Sequence, residues 1–214
     1  TPARSTIDGS RTGALKSISA LSTRADPHGH HVVALNDSRG ASGEVGIAAI
    51  CTLTQKTVII ELSDTPRFTR TLRFLAIHEP CLVLCCDSVN SRLGAVLEEA
   101  FKGQVPIQRQ PRAWFSEREG RKAVEQFALH DQHESLLVTL DQRFYCLASL
   151  GALMHWIEDG GDQIKPKSLD IRYSAGDEGV MIIDYHSSKL LEIVKCSDTD
   201  SGTKNSESKR CSLL

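Results

Sequence analysis

Three carboxylates stand where metal chemistry would want them. Asp37 follows the first apolar run, Glu61 lies within the third, and Asp87 follows the fourth. A two-metal nuclease uses carboxylates at strand ends to hold two Mg²⁺ ions about 4 Å apart. A plainer role competes with this one. Asp37 and Asp87 sit beside turn-forming residues, where an Asp side chain accepts hydrogen bonds from nearby backbone amides. The plainer reading is preferred, because strand-end carboxylates are common and a fold does not carry a function by itself. Cys81, Cys85 and Cys86 raise the question of a metal centre. A structural zinc site needs spaced pairs with further Cys or His ligands to close a tetrahedron. Here the three thiols share one apolar run, and strand alternation sends neighbouring side chains to opposite faces. They read as small buried hydrophobes. His28, His30 and His31, with Asp26, read as a solvated tail rather than a site. No cofactor or metal is therefore assigned to these residues.

Two basic groupings could meet an anionic or protein partner. Arg67, Arg70 and Arg73 recur at every third position. On one helix they would spread over roughly 120°, where guanidinium groups can pair bidentately with phosphate. Arg109 and Arg112 precede Trp114 and Phe115, and Arg118, Arg121 and Lys122 follow them. Glu117, Glu119 and Glu125 dilute that patch. Trp and Arg are frequent anchors of protein interfaces, whereas Trp114 could equally pack beneath the helix that follows it. Arg67, Arg70, Arg73, Arg109, Arg112, Trp114 and Phe115 are the candidate DNA or partner contacts. At the other extreme, Cys211-Ser-Leu-Leu after Lys209 and Arg210 satisfies a prenylation pattern. The pattern would matter for a membrane-associated adaptor, and it is read as accidental.

The elements that must position these groups follow from periodicity. Residues 1–29 hold few large apolar side chains and are expected to be disordered. Val32 to Leu35, Val45 to Thr52 and Thr57 to Leu62 read as strands, the last two joined by a hairpin. Gly40, Gly43 and Gly46 are expected to provide positive-φ turn positions. A helix is expected from Pro66 to His78, capped by Asp64 or Thr65, with Phe68, Leu72 and Leu75 inward. Cys81 to Cys86 reads as a central strand covered on both faces. A helix over Ser91 to Phe101 and a strand over Val105 to Gln108 come next. Ser116 and Glu119 then form a capping box that opens a helix through Phe127. From His133 to Ile157 the apolar spacing predicts one long helix linking two domains. A strand pair over 168–184 and a last helix from Ser187 or Ser188 to Val194 follow. The 214 residues carry a net charge of −2, with 40% hydrophobic and 24% charged residues. Such a balance indicates a globular α/β chain and argues against a stand-alone basic nucleic-acid module. Seven cysteines without regular spacing argue against a disulfide framework. No apolar run approaches the ~20 residues needed to span a bilayer, so no membrane role is expected.

Five stretches together resemble the MutS family in its meiosis-specific branch: RGASGEVGIAAI, QRQPRAWFSEREGRKAVEQF, FYCLASLGALMHWIE, KSLDIRY and MIIDYHSSKLLEI. The resemblance runs from about residue 31 to 194, with a fungal member as the expected source. It implies a ribonuclease-H-like connector domain over 30–130, a mixed sheet flanked by helices. The start of the family's core domain would occupy 131–214, with a flexible loop at 197–210. It also implies a heterodimer with MutS homologue five, action on branched DNA such as Holliday junctions, promotion of crossovers in the nucleus on meiotic chromosomes, and dealings with MutL homologues. ATP and Mg²⁺ belong to the family's ATPase domain. No G-x-x-x-x-G-K-[ST] motif occurs here, so that domain is expected outside the chain. In this branch the segment is non-catalytic. It would relay ATP-driven rearrangement and dock partners.

Overall fold

The computed structural model describes residues 30–38, 43–87, 92–175 and 187. Contacts divide the chain into two units, Thr1–Gly176 and Asp177–Leu214. The expected tail, the second strand of the 168–184 pair, the last helix after Ser187 and the loop at 197–210 lie outside the described residues, as do Gly40 and Cys211.

The first unit is an α/β structure with a mixed six-stranded sheet. Strands β1 (His31–Asp37), β2 (Glu44–Cys51) and β3 (Lys56–Ser63) form an antiparallel meander. Strand β4 (Pro80–Cys86) runs parallel to β1, and β5 (Ile107–Gln110) runs parallel to β4. Strand β6 (Asp170–Ser174) joins parallel to β3. The order across the sheet is β5-β4-β1-β2-β3-β6. Five α-helices accompany it among the described residues: α1 (Thr69–His78), α2 (Arg92–Phe101), α3 (Glu117–Phe127), α4 (His133–Thr139) and α5 (Phe144–Asp159).

Each face of the sheet has its own core. Val32 and Ala34 of β1 face α3, α4 and α5. Val33 and Leu35, displaced by one position, face α1 and α2. Strand alternation produces this division. It also explains why β1 and β4 read as continuous apolar runs: both faces are covered. Strand β6 contributes Ile171 to the α5 side. Strand β6 thus extends the sheet of the earlier strands, and the compact unit runs to Gly176.

Local chemistry moves several expected boundaries. Helix α1 begins at Thr69 rather than Pro66, because Phe68 adopts a left-handed conformation with φ of 53°. Asp64 still caps the helix, but from outside it. Its Oδ1 accepts from Arg70 N at 3.2 Å, and its Oδ2 accepts from Thr71 N and Thr71 Oγ1 at 2.8 Å each. The inward side chains of α1 are Thr71, Phe74 and Leu75. Strand β5 starts two residues later than expected. Pro106 has no N–H to offer the ladder, and its carbonyl instead accepts from Val83 N at 3.0 Å. In α3 the Ser116 hydroxyl does accept from Glu119 N. The Glu119 carboxylate turns to Lys122 at 2.8 Å, so half of the capping box forms.

The long helix expected over His133–Ile157 is two helices. Turn hydrogen bonds from Asp141 N to Val138 O and from Arg143 N to Leu140 O end the first and re-aim the chain. The second, α5, is buried from Cys146 to Ile157 except at His155. A helix that is apolar all round is a core helix, not a linker with one seam. Three glycines let it approach its neighbours by backbone. A Cβ at Gly46 in β2 would collide with the Tyr145 carbonyl of α5, one at Gly120 in α3 with the Leu147 carbonyl, and one at Gly151 with the Ser116 carbonyl. Gly46 is thus a strand residue needed for close contact, not a turn residue with positive φ. Gly43 holds that turn role with φ of 65°.

Gly46→Ala should lower unfolding stability by about 3 kcal/mol or more, as overpacking against unyielding backbone does. The exposed substitution Gln163→Ala should change it by less than about 0.5 kcal/mol. Urea unfolding of both variants measures the difference.

Candidate functional site

The three carboxylates that raised the nuclease question do not converge. Glu61 pairs in register with Gly46, and Gly46 with Asn36. The Glu61 carboxylate reaches the start of α5, so this row of residues faces α5. Asp37 follows Asn36 and points to the opposite face. Asp87 lies just beyond β4, where its N–H donates to Gln110 O at 2.8 Å. The parallel pairing of Leu35 with Cys85 puts Asp37 and Asp87 at the same end of adjacent strands. Glu61 is committed elsewhere. Its Oε2 accepts from Tyr145 N at 2.8 Å and from Cys146 N at 3.1 Å, capping the first turn of α5. Arg143 Nη1 stands 3.9 Å from Oε1, and the Glu61 side chain is only 8% exposed. A carboxylate at a helix N-terminus satisfies amides that have no intrahelical partner and complements the helix dipole. Among the described residues, no group of three His, Cys, Asp or Glu side chains is arranged to hold a metal ion.

The thiols are distributed rather than gathered. Cys81 donates to His31 O at 3.3 Å, and Cys86 lies 3.9 Å from Arg112 Nη1. Burial pushes the Cys85 thiol up to about 11 and the Cys146 thiol up to about 12. Cys51 differs. Its partial burial raises the thiol, but hydrogen bonds from Thr54 and the Leu53 backbone, helped by Lys56, outweigh that and hold it below its ordinary value. Thiolates are the reactive form, so Cys51 is the most nucleophilic of these three thiols.

The basic groupings are partly neutralised. Arg67 precedes α1 and is exposed, so the three arginines do not share one helix as the spacing suggested. Arg70 Nη1 donates to Ser63 O at 2.8 Å, and Arg73 is half-buried. In the second patch Arg109 pairs with Glu98 at 2.7 Å, which holds its guanidinium further above its ordinary value. Arg121 pairs with Glu117 and Asp141, and Lys122 with Glu119. Arg112 opens a short 3₁₀ turn, Arg112–Trp114, that leads into α3. Trp114 is half-buried against the α5-side core and stacks on His155 of α5 at 5.7 Å. Phe115 is half-buried beside it. Arg112, Trp114 and Phe115 thus form one corner, while Arg67, Arg70 and Arg73 belong to the separate Asp64–α1 corner. No helix of the described residues is long and apolar enough to cross a membrane.

Comparison with known proteins adds a likeness to one family. No family model matches the chain. Over 184 residues it is 29% identical to MutS protein homolog 4 of Mus musculus, covering 82% of this chain and 19% of that protein. Over 170 residues it is 27% identical to MutS protein homolog 4 of Homo sapiens, covering 76% and 18%. The resemblance to the MutS family is borne out. The chain spans about a fifth of the length of the curated relatives it matches. In this MutS-related chain, sequence reasoning missed the capping role of Glu61 and the Trp114–His155 stack. The first had no local signal, since Glu61 and Tyr145 are 84 positions apart.

Glu61→Ala should cost about 1–3 kcal/mol of stability, because two buried amides lose their acceptor. Glu61→Gln should cost less, since an amide oxygen can still accept; urea unfolding separates the two. Limited alkylation at pH 7.5, read by mass spectrometry, should label Cys51 well before Cys85 and Cys146. Equal labelling of all three would contradict the environments described.

Proposed function

We propose that the chain is a connector domain and the entry to the core domain of a MutS-type clamp that acts in meiotic recombination. The carrying observation is similarity to MutS protein homolog 4 over about four-fifths of this chain. The sheet order β5-β4-β1-β2-β3, with a three-stranded meander followed by parallel strands, supports a ribonuclease-H-like connector. On this reading the complete protein pairs with MutS homologue five, engages branched DNA such as Holliday junctions and promotes crossing over on meiotic chromosomes in the nucleus. ATP and Mg²⁺ act in the ATPase domain, and MutL homologues are further partners.

Within that assembly this segment makes or breaks no covalent bond. Its work is to transmit rearrangement and to dock. Docking is favoured over direct DNA contact because Arg109, Arg121 and Lys122 already hold carboxylate partners, leaving a patch of mixed charge. Arg112, Trp114 and Phe115 are the proposed partner-facing residues: a guanidinium beside two aromatic rings is the composition that anchors protein interfaces.

Co-purification with a MutS-homologue-five fragment, followed by titration of a four-way DNA junction, tests this. The fragments should co-elute, and the junction should bind tightly only to the full-length pair. Trp114→Ala with Arg112→Ala should weaken co-elution at least tenfold. Tight junction binding by this chain alone, falling steeply with salt, would make the arginine corners a DNA site instead.

A further inference from the structure

At one end of the sheet two imidazoles face each other with nothing between them. His31 is the first residue of β1 and His78 the last residue of α1. Their ring centroids are 5.2 Å apart, edge to face at 76°. The His78 ring also lies 4.1 Å from Phe74. Both histidines are half-buried, and Nδ1 of His31 is buried without a hydrogen-bond partner. The chain turns sharply here. Glu79 adopts a left-handed conformation with φ of 41°, its N–H donating to Leu75 O at 3.0 Å, and β4 begins at Pro80. The β1–β4 register shifts between His31 and Val32. This end of α1 is therefore fastened to β1 through side chains more than through a regular ladder.

We propose that His31 and His78 form a proton-operated latch, which fastens the end of α1 to the start of β1 while both rings are neutral and lets go when either is charged. The surroundings offer an imidazolium little help. Just before β1 the neighbouring group is His30. From β2 it is Cys51, opposite His31 in register, with Lys56 acting on that thiol. From β4 it is Cys81, bonded to His31 O. From α1 it is Phe74, with the exposed Glu79 just beyond. Burial holds both imidazoles below their ordinary value. His30 adds to this at His31, and His31 adds to it at His78. A backbone hydrogen bond to His78 opposes the shift at His31 without reversing it. The C-terminal dipole of α1 favours a cation at His78, yet burial still prevails there. The sign follows from linkage. A folded state that resists protonation keeps the latch fully stable above the ordinary imidazole value near 6.5 and loses it as pH falls through the lower folded value.

Hydrogen exchange of the 214-residue chain at pH 7.5 and 5.0, corrected for intrinsic rates, tests the latch. Protection of the Glu79 amide should fall about threefold or more at pH 5.0, while Val83, in the centre of β4, stays protected. The double variant His31→Phe with His78→Phe keeps two rings at the latch and neither can be charged, so its Glu79 protection should be independent of pH after correction. Unchanged Glu79 protection in the parent chain overturns the proposal, as does a pH-dependent loss that persists when both rings are replaced by Phe. Should that variant fail to fold, NMR titration of the parent's two imidazoles decides. Midpoints below the ordinary value, each sensitive to the other ring, support the latch, and ordinary or raised midpoints overturn it.

Discussion

The structure depends on how closely α5 is held between the sheet and α3. Glycines at 46, 120 and 151 remove the side chains that would otherwise keep these backbones apart. Ser149 then donates to Gly46 O at 2.8 Å from within the buried contact, so a strand carbonyl gains an extra donor where water cannot reach. Glu61 completes the arrangement by capping the first amides of α5. Position along the helix is set by the glycines and the start of the helix by the carboxylate. Neither interaction would suffice alone. Close contact without the cap would bury unpaired amides, and the cap without close contact would leave a carboxylate buried beside a gap.

That contact also explains why polar residues that look chemical serve structure. Glu61 reads as a metal ligand while α5 is out of view, and it becomes a helix cap once α5 is in place. Asp64 reads as an ordinary N-cap, yet it serves amides six and seven residues away because Phe68 takes the cap position in a left-handed conformation. Arg109, Arg121 and Lys122 read as a basic stripe until Glu98, Glu117, Asp141 and Glu119 are placed beside them. The pairs are largely exposed and add little stability. Their effect is on surface potential, which they lower where a nucleic-acid groove would need it high.

What was legible from sequence and what was not divides along the same line. The strands β1 to β4 were legible because two-sided burial leaves a continuous apolar run, and Ser116 was legible because a cap acts within three residues. Contacts between distant segments were not. Gly46 lies in a glycine-rich stretch, so a turn was the local inference, although an isolated Gly in a strand can mark a close backbone approach. The break between α4 and α5 was hidden because apolar spacing ran through it unbroken. Asp141 and Arg143 reveal it only through the turn they make and through partners on α3 and β3. Strand β6 reads as a strand from its residues, but its partner β3 lies more than a hundred residues earlier, and no local pattern signals that pairing. Of the candidate contact residues, the aromatic corner was legible from composition, while the pairing state of its arginines was not.

To relay motion as proposed, a segment has to move as a body rather than bend. Packed cores respond to displacement by switching between discrete arrangements, not by gradual deformation. With α5 locked to β2 and α3 by backbone contact, a push on the Trp114–His155 corner cannot be absorbed within the α5 layer. A connector proposed to relay rearrangement needs a stiff middle, and the close backbone contacts of α5 supply one. For the relay proposed above, the glycines that let β2, α3 and α5 meet by backbone would matter as much as any surface residue.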